Sequence, residues 1–570
     1  MFLSQLNTQR NSPNSTAMGM AIPVWLVWVV SILCVWVGLG SYGVLNNNEG
    51  LYAQIPHEML ASGDIKHWII PHLNGLPYME KPPLLYWLTA LSFVLFGQAE
   101  WVVRLIPTLA GLGCVGLILN FGERIYRPQV GRLAALMFIS GLGILIISRT
   151  LVFDMLLTFF LTGALMCAYL YKVEEHISDL RWAHVFLAFG VLTKGFVAIL
   201  LCSLVVLVWI MMVHGTDAWK QYRKWIDPVS IAIFFVITVP WFVAASLSEP
   251  IFLWFFFINE HVLRFMGQRL PHDFYSGPWW YYLPRMVIYL FPWSLLLPVA
   301  LMATWSRRSR IEIQEFTILR KTLIFAWLVP LVFFSLSSAK ANYYLIVGMP
   351  FAALNLALLL EQSEFLKGIR SVLLGLILAL LTAAAAIYLS LTDRLTSFDL
   401  ILQGLSVSHY AQLTLWTITS LSLITALVAW RYSRIGLAAY SVLPLFIMLA
   451  LVVAANGVSP MISDHTMADF IQQKLPNRTV YMYRNYEQNS SLPFYLKRTV
   501  RVIDSSSSDL YWGNRLRPEN SLMVSREVLK SKKEPMVIVV PNTLLDEFAH
   551  EKLHTRFLNN KQFGYATLFY

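Results

Sequence analysis

Long apolar stretches recur along most of the chain. From about residue 21 to residue 456, most of them are close to 20 residues long, which is enough for a helix to cross a hydrocarbon core of roughly 30 Å. They predict about thirteen membrane-spanning helices, near residues 21–44, 103–122, 131–149, 155–171, 183–194, 196–213, 228–246, 284–305, 322–338, 342–360, 371–391, 412–430 and 436–456. The pattern therefore predicts a polytopic α-helical membrane protein.

One further apolar stretch, residues 82–97, is short, and counting it as a span would disturb the charge pattern of the loops. If it lies in the membrane interface instead, the basic loops between spans fall on one side, which the positive-inside rule makes cytoplasmic. The N-terminal tail, residues 1–20, is then cytoplasmic. The other, outer face receives residues 45–102 and 247–283, the short junctions at Asp154, Lys194 and Lys340, and the C-terminal region.

The last part of the chain has a different pattern. After a predicted membrane domain at residues 21–456, short β-prone runs such as "TVYMY" and "MVIVV" alternate with polar, helix-compatible stretches. This alternation predicts a small α/β domain at residues 457–570, on the outer side of the membrane.

Composition agrees with this architecture. The chain has 570 residues, of which 57% are hydrophobic and 13% charged, with a formal net charge of +11. The excess of Lys and Arg is explained by the cytoplasmic loops and does not require a nucleic-acid partner. All four cysteines lie in apolar segments, so we predict no disulfide bonds.

Ionisable residues on the predicted outer face form a candidate site. A charge near the bilayer is costly unless it faces a cavity or a partner, and scattered interfacial anchors would divide between both faces. Carboxylates mixed with cations in an enclosed site would suit an anionic ligand such as a lipid-linked phosphate. The candidates are Glu49, Glu80, Lys81, Arg104, Asp154, Lys194, Glu260, His261, Arg264 and Lys340.

These residues lie in segments that resemble a known family. "NNNEGLYAQIPHEMLASGD", "PHLNGLPYMEKPPLLYW", "LVFDMLLTF", "LTKGF", "NEHVLRF" and "FFSLSSAKANYYL" follow one another between residues 40 and 360. They are similar to the membrane glycosyltransferases of the GT-C type that take sugars from polyprenyl phosphates. The likeness is nearest to the bacterial 4-amino-4-deoxy-L-arabinose lipid A transferases and more distant to the protein O-mannosyltransferases.

The resemblance implies a fold and a set of roles. The fold usually has thirteen membrane helices, with juxtamembrane helices in the first outer loop. Glu49 and Asp154 would be the catalytic carboxylates, and Glu80 with His261 could hold a divalent metal ion. The donor phosphate and the substrate pocket would be served by Lys81, Lys194, Arg264, Lys340 and Tyr344. No nucleotide cofactor is expected.

The chain departs from the family at Asn48 and Leu51, where the lipid A enzymes have an aspartate and an arginine. Asparagine cannot accept a proton at neutral pH, so Asn48 disfavours a hydroxyl acceptor that needs a general base. An acceptor phosphate is already anionic. The resemblance therefore predicts transfer from an undecaprenyl phosphate-linked sugar to lipid A or a related glycolipid, at the periplasmic face of a bacterial inner membrane.

Two alternatives remain open from the sequence. A protein O-mannosyltransferase-type enzyme would glycosylate hydroxyls of secreted proteins, with Glu49 or Asp154 as the base. A transporter or flippase for a lipid-linked sugar is a different class, but transporters usually show internal repeats and broken helices that meet at the midplane. The unusual charges lie at the ends of spans on one face, which favours an enzyme at the interface.

Overall fold

The structure is a computed structural model that describes most of the chain. Its described residues are 22–125, 127–215, 223–272, 276–298, 314–362, 369–392, 407–431, 443–527 and 534–570. The predicted cytoplasmic tail at residues 1–20 lies outside these ranges, as do parts of the predicted spans 284–305 and 436–456.

The membrane part is a bundle of apolar helices. Within the described ranges, eight of them are long and apolar enough to cross a membrane: Leu105–Ile125, Phe153–Glu174, Pro228–Ser248, Ile318–Leu336, Asn342–Leu360, Val372–Thr392, Ser408–Arg431 and Pro444–Ile462. Four shorter apolar helices are Val24–Trp36, Leu84–Phe96, Pro128–Ile139 and Val197–Met212. The polytopic helical fold is thus confirmed, whereas the count of thirteen spans stays a prediction.

Several predicted spans take a different form in the structure. The stretch 131–149 is divided into the helices Pro128–Ile139 and Leu142–Ile147, because Gly141 adopts an extended conformation between them. The stretch 183–194 is part of a longer helix, Ile177–Lys194. The last membrane helix runs to Ile462, so the predicted boundary at residue 457 falls inside a helix.

The first outer loop is folded into helices and one small hairpin. A helix at Asn48–Ser62 is followed by a short helix at Lys66–Ile69 and by strands β1 (His72–Leu73) and β2 (Leu76–Pro77), which pair antiparallel. The helix Leu84–Phe96 then buries one face and exposes Leu91, Val94, Leu95 and Phe96. A 13-residue helix with one exposed apolar face agrees with the interfacial placement predicted for residues 82–97.

The second large outer segment winds differently from an ordinary helix. Residues Trp254–Leu263 form a π-helix, followed by a short α-helix at Arg264–Met266 and by the helix Tyr282–Tyr289. A π-helix is rare and is often found at functional sites. This one carries Glu260 and His261.

The C-terminal region is an α/β domain, as its sequence pattern predicts. Its strands are β3 (Thr479–Tyr483), β4 (Arg501–Ile503), β5 (Met523–Val524), β6 (Met536–Pro541), β7 (Asn560–Phe563) and β8 (Ala566–Phe569). They form a mixed sheet of order β5-β4-β3-β6-β8-β7, in which β5, β4, β3 and β6 are parallel. Helices at His465–Lys474, Ser491–Leu496, Tyr511–Leu516 and Leu545–His550 accompany the sheet.

The start of the first outer loop docks the C-terminal domain. The Asn46 side-chain oxygen accepts hydrogen bonds from the Ser491 backbone N–H at 2.9 Å and hydroxyl at 2.7 Å, and the Asn47 carbonyl accepts one from the Ser490 hydroxyl. A side chain at Gly50 would meet Ser490 and Ser491 within about 2.6 Å. These polar residues therefore fix the domain directly over the membrane helices.

Candidate active site

A cavity of about 370 Å³ lies where the membrane helices, the outer loops and the C-terminal domain meet. Its lining divides into three groups by origin. The first outer loop contributes Asn47, Asn48, Leu51, Tyr52, Glu80 and Lys81; the membrane helices and second outer segment contribute Val152, Phe153, Asp154, Lys194, Arg264, Arg269, Tyr343 and Tyr344; the C-terminal domain contributes Asn485, Glu487, Gln488, Ser508 and Asp509.

A compact ion cluster forms one wall of this cavity. Glu260 accepts from Arg264 Nη1 at 2.9 Å and from Arg269 Nε at 2.5 Å, and Arg269 Nη2 also donates to Glu80 at 2.5 Å. Burial alone would favour neutral Glu260, but Arg269, Arg264 and Lys81 outweigh it and lower the pKa of this carboxyl. Glu260 is therefore ionised, and it holds Arg264 and Arg269 in fixed positions.

Lys81 is the least tightly held cation of the cluster. Its ammonium lies 3.6 Å from Glu80 and 3.9 Å from Glu260, which are ion-pair distances longer than a hydrogen bond. The cluster contains three cations (Lys81, Arg264 and Arg269) and two carboxylates (Glu80 and Glu260), so it has one positive charge in excess. It is suited to a phosphodiester, which carries a single negative charge.

A second ion pair lies on the membrane side of the cavity. Asp154 and Lys194 come from the ends of two different helices, and Lys194 Nζ donates to Asp154 Oδ1 at 2.5 Å. Lys194 Nζ also lies 4.3 Å from the centre of the Tyr344 ring. The pair is neutral as a whole, and its cation faces the tyrosines that line the cavity.

Asn48 lines the cavity next to this pair. Its side-chain amide donates a hydrogen bond to the Tyr343 hydroxyl at 3.3 Å, and Lys194 lies 5.7 Å from the centre of the Tyr343 ring. Because an amide offers no basic atom, Asn48 can orient Tyr343 or a ligand but cannot take a proton.

The C-terminal domain closes the cavity with an acidic wall. Tyr78 donates to Asp509 at 3.2 Å and is within 3.3 Å of Glu80, and Glu487 accepts from the Ser507 hydroxyl and from the Asp509 backbone N–H. Burial, Glu80 and Glu487 raise the pKa of Asp509 well above its ordinary value. A cationic ligand group would relieve this repulsion.

The structure places Glu49 outside the lining of the cavity, so its predicted catalytic role stays a prediction. Its carboxylate is 1% exposed and pairs with Arg104 through two hydrogen bonds of 2.9 and 2.7 Å. It also accepts from the backbone N–H groups of Leu45 and Leu151. Because both oxygens are occupied away from the cavity, Glu49 ties the first outer loop to the second membrane helix.

Lys340 is also placed differently from the prediction. It is 3% exposed, and its ammonium donates to the carbonyls of Phe334, Ser335 and Ser337 at 3.0, 2.6 and 2.5 Å. These carbonyls belong to the last turn of the helix Gln314–Leu336 and to the residue after it. A cation at a helix C-terminus stabilises the unpaired carbonyls, so Lys340 caps a helix and does not line the cavity.

The predicted metal pair of Glu80 and His261 does not form. His261 Nε2 accepts from the Phe196 backbone N–H at 3.2 Å, so Nδ1 carries the proton and donates to the Phe256 carbonyl at 2.6 Å. Both ring nitrogens are occupied, and Glu80 is paired with Arg269 and Lys81. These residues do not fit a metal ion in this arrangement, and no chemical step is derived through one.

Among the described residues, one other group has metal-like spacing: Glu174, His176 and Asp179. Arg124 already pairs with Glu174 and Asp179. Glu174 ends the helix that begins beside Asp154, and a helix of 22 residues is about 33 Å long. The group therefore lies far from the cavity.

The comparisons with known proteins agree with this geometry. Residues 80–243 match the family described as dolichyl-phosphate-mannose-protein mannosyltransferase. The undecaprenyl phosphate-alpha-4-amino-4-deoxy-L-arabinose arabinosyl transferase 2 of Pseudomonas fluorescens (strain Pf0-1) is 30% identical over 90% of this chain and 92% of its own. The corresponding transferase of Pseudomonas aeruginosa (strain UCBPP-PA14) is 32% identical over 84% of each chain.

The chain belongs to this arabinosyl transferase family. The arabinosyl transferases are glycosyltransferases, so the predicted enzyme class is confirmed. The crystal structure of ArnT from Cupriavidus metallidurans bound to undecaprenyl phosphate has the same fold, with a TM-score of 0.79 and 23% identity over 96% of this chain and 97% of that one. The archaeal oligosaccharyltransferase AglB from Archaeoglobus fulgidus shares the fold more distantly, with a TM-score of 0.50 and 11% identity over 92% of this chain and 69% of that one.

The site of this arabinosyl transferase includes residues that the sequence analysis did not select. Arg269 lies in the predicted outer segment 247–283, and the search for outer-face charges could have found it. Asp509 and Glu487 had no such signal, because they come from a domain without a recognisable motif.

Proposed function

We propose that this arabinosyl transferase moves 4-amino-4-deoxy-L-arabinose from undecaprenyl phosphate to a phosphate of lipid A at the periplasmic face of the inner membrane. The observation that carries the proposal is the division of one cavity into a cationic wall and an acidic wall. The first suits the donor phosphate, and the second suits the ammonium group of the sugar.

The cationic wall would bind the donor and stabilise the leaving group. In the transfer, an oxygen of the acceptor phosphate attacks the anomeric carbon and the bond from this carbon to the donor phosphate oxygen breaks. Undecaprenyl phosphate leaves with a second negative charge. Lys81, Arg264 and Arg269 are held together around Glu260, and preorganised stabilisation by such cations is usually the largest contribution to catalysis.

The remaining cavity residues would position the reacting groups. Attack from the side opposite the leaving phosphate inverts the anomeric centre, and the anionic acceptor needs no proton removed. Asn48 is compatible with this chemistry, since it supplies a hydrogen-bond donor but no base. Asp154 and Lys194 would orient the sugar and the acceptor from the membrane side.

The acidic wall supports an amino sugar over a neutral one. Burial, with Glu80 and Glu487 nearby, raises the pKa of Asp509, and an ammonium group would stabilise its ionised form. The relatives' names give undecaprenyl phosphate and 4-amino-4-deoxy-L-arabinose, which favours an aminoarabinose transferase over a mannosyltransferase and over a transporter.

Transfer by the purified protein in liposomes tests the proposal. Undecaprenyl phosphate-linked aminoarabinose and its 4-hydroxy analogue would be supplied as donors, with lipid A as the acceptor. We expect the amino sugar to be preferred, and we expect Asp509→Asn to reduce that preference. The variant Asp546→Asn, at an exposed residue of the same domain, is the control. Equal use of both sugars by the native protein would contradict the assignment of the acidic wall.

A further inference from the structure

Arg264 and Arg269 lie in the cavity wall. A third arginine, Arg285, lies outside the cavity in the helix Tyr282–Tyr289, which follows the π-helix in the chain. Arg285 Nε donates to the Asn342 side-chain oxygen at 2.9 Å, and Arg285 Nη1 donates to the Tyr281 carbonyl at 2.7 Å. The guanidinium carbon lies 3.4 Å from the centre of the Tyr281 ring. We name Tyr281, Arg285 and Asn342 the Arg285 cluster.

The guanidinium group of the Arg285 cluster has one edge available to bind an anion. Within the described ranges, no carboxylate pairs with Arg285 and its Nη2 makes no hydrogen bond. In the cavity, by contrast, Arg264 and Arg269 both pair with Glu260. A guanidinium stacked on an aromatic ring keeps its outer edge for planar, two-point binding of phosphate.

The surface around the cluster is apolar. Trp279 is 71% exposed and Trp280 51% exposed, and Leu283, Val287 and Ile288 continue the exposed surface along the helix Tyr282–Tyr289. Tryptophans are enriched at the level of lipid headgroups. An open arginine beside this surface fits a phosphate that is carried by a lipid.

The Arg285 cluster is connected to the wall of the cavity. Asn342 directly precedes Tyr343 and Tyr344, which line the cavity, and its backbone carbonyl accepts a hydrogen bond of 2.5 Å from Tyr289. Arg285 itself does not line the cavity. The cluster therefore lies behind the two tyrosines, on the membrane side of the site.

We propose that Arg285, with Trp279 and Trp280, binds a phosphate of the acceptor glycolipid as it approaches the cavity from the membrane. The inference rests on the proposed function, because transfer between two phosphates requires two anion sites. Lys81, Arg264 and Arg269 already provide for the donor phosphate. Charge complementarity and the exposed tryptophans favour the acceptor as the occupant of the second site.

The test separates acceptor binding from donor binding. Arg285→Gln is compared with Arg515→Gln, because Arg515 also lies over an aromatic ring, at 5.4 Å from the Trp512 ring centre, and has no carboxylate partner within the described residues. Native mass spectrometry of the purified protein measures binding of lipid A and of undecaprenyl phosphate. Liposome assays give the KM for each substrate and kcat.

We expect Arg285→Gln to weaken lipid A binding and to raise the acceptor KM on the order of tenfold, while undecaprenyl phosphate binding, the donor KM and kcat stay near native. Arg515→Gln should change none of these quantities. An equal loss of undecaprenyl phosphate binding, or unchanged lipid A binding, would overturn the assignment.

A second variant guards against a folding defect in Arg285→Gln. Trp279→Ser combined with Trp280→Ser changes exposed side chains only, and it should weaken lipid A binding without affecting binding of undecaprenyl phosphate. The protein could bind lipid A in a way that depends on Arg285 and yet transfer no sugar to it. That result would contradict the proposed function but support this site. Tryptophan variants that bind lipid A normally would count against the site.

Discussion

The buried pair of Glu49 and Arg104 permits a direct choice between a structural and a catalytic role for Glu49. Glu49 accepts two hydrogen bonds from Arg104 and one each from the Leu45 and Leu151 backbones. Glu49→Gln would replace an acceptor oxygen with an NH₂ group among these donors. It would also leave Arg104, which is 0% exposed, without a counter-charge.

The size of the effect follows from the burial of the pair. Removing one partner of a buried ion pair costs about 3–5 kcal/mol. The loss corresponds to a roughly 100- to 4,000-fold lower ratio of folded to unfolded protein at about 1.4 kcal/mol per tenfold. Arg104 keeps the carbonyls of Leu39, Tyr42 and Gly43 as partners, which favours the lower end of this range.

Thermal unfolding in detergent, combined with the transfer rate per folded molecule, distinguishes the two roles. The structural role predicts a clearly lowered Tm for Glu49→Gln, with near-native transfer by the molecules that remain folded. Glu519→Gln is the matched control, because Glu519 is exposed and has no partner within the described residues. A native Tm with a transfer rate lowered more than about 100-fold would refute the structural role and restore Glu49 as a catalytic residue.

Three further predictions follow from individual contacts. Asp154→Asn and Lys194→Gln should each lower kcat, and because the two residues form one ion pair, the double variant should be little worse than the more affected single one; additive losses of activity would contradict this coupling. Since both nitrogens of His261 are occupied, treatment with a chelator should leave the transfer rate unchanged, and recovery of a lost rate by one added divalent metal would show the contrary. Burial raises the pKa of Glu58 to about 7. A raised carboxyl pKa means that the folded state disfavours the ionised form of Glu58. The free energy of unfolding is therefore highest below the unfolded-state pKa, where Glu58 is protonated in both states, and it falls as the pH rises towards 7. The drop in Tm between pH 5 and pH 8 should accordingly be smaller in Glu58→Gln than in the native protein.

The sequence predicted those site residues whose position depends on membrane topology. Lys81, Asp154, Lys194 and Arg264 lie at the ends of apolar stretches on one side, and the structure brings them to one cavity. A charged side chain near the bilayer is stable only in a cavity or beside a partner. The side of the membrane on which it lies therefore limits strongly where it can be. The interfacial position of residues 82–97 is predicted by the same reasoning.

Pairing between distant segments could not be predicted in the same way. Glu49 has its partner in Arg104, 55 positions along the chain. The contacts of Lys340 are local, with carbonyls three to six positions before it, but the hydropathy pattern does not show them either. Either residue could have faced the cavity on the evidence of the sequence. Asp509 meets Tyr78 across 431 positions of the chain, a contact that depends on how the C-terminal domain docks.

The central claim is that the aminoarabinose is attached to a phosphate of lipid A. Mass spectrometry of lipid A tests it most directly, in a bacterium that makes the undecaprenyl phosphate-linked sugar and expresses either this protein or its Lys81→Met variant. We predict an added mass of one aminopentose per modified phosphate with the native protein, and loss of that mass after selective removal of the lipid A phosphates. Unmodified lipid A, with the sugar found instead on protein or on another glycan, would contradict the account.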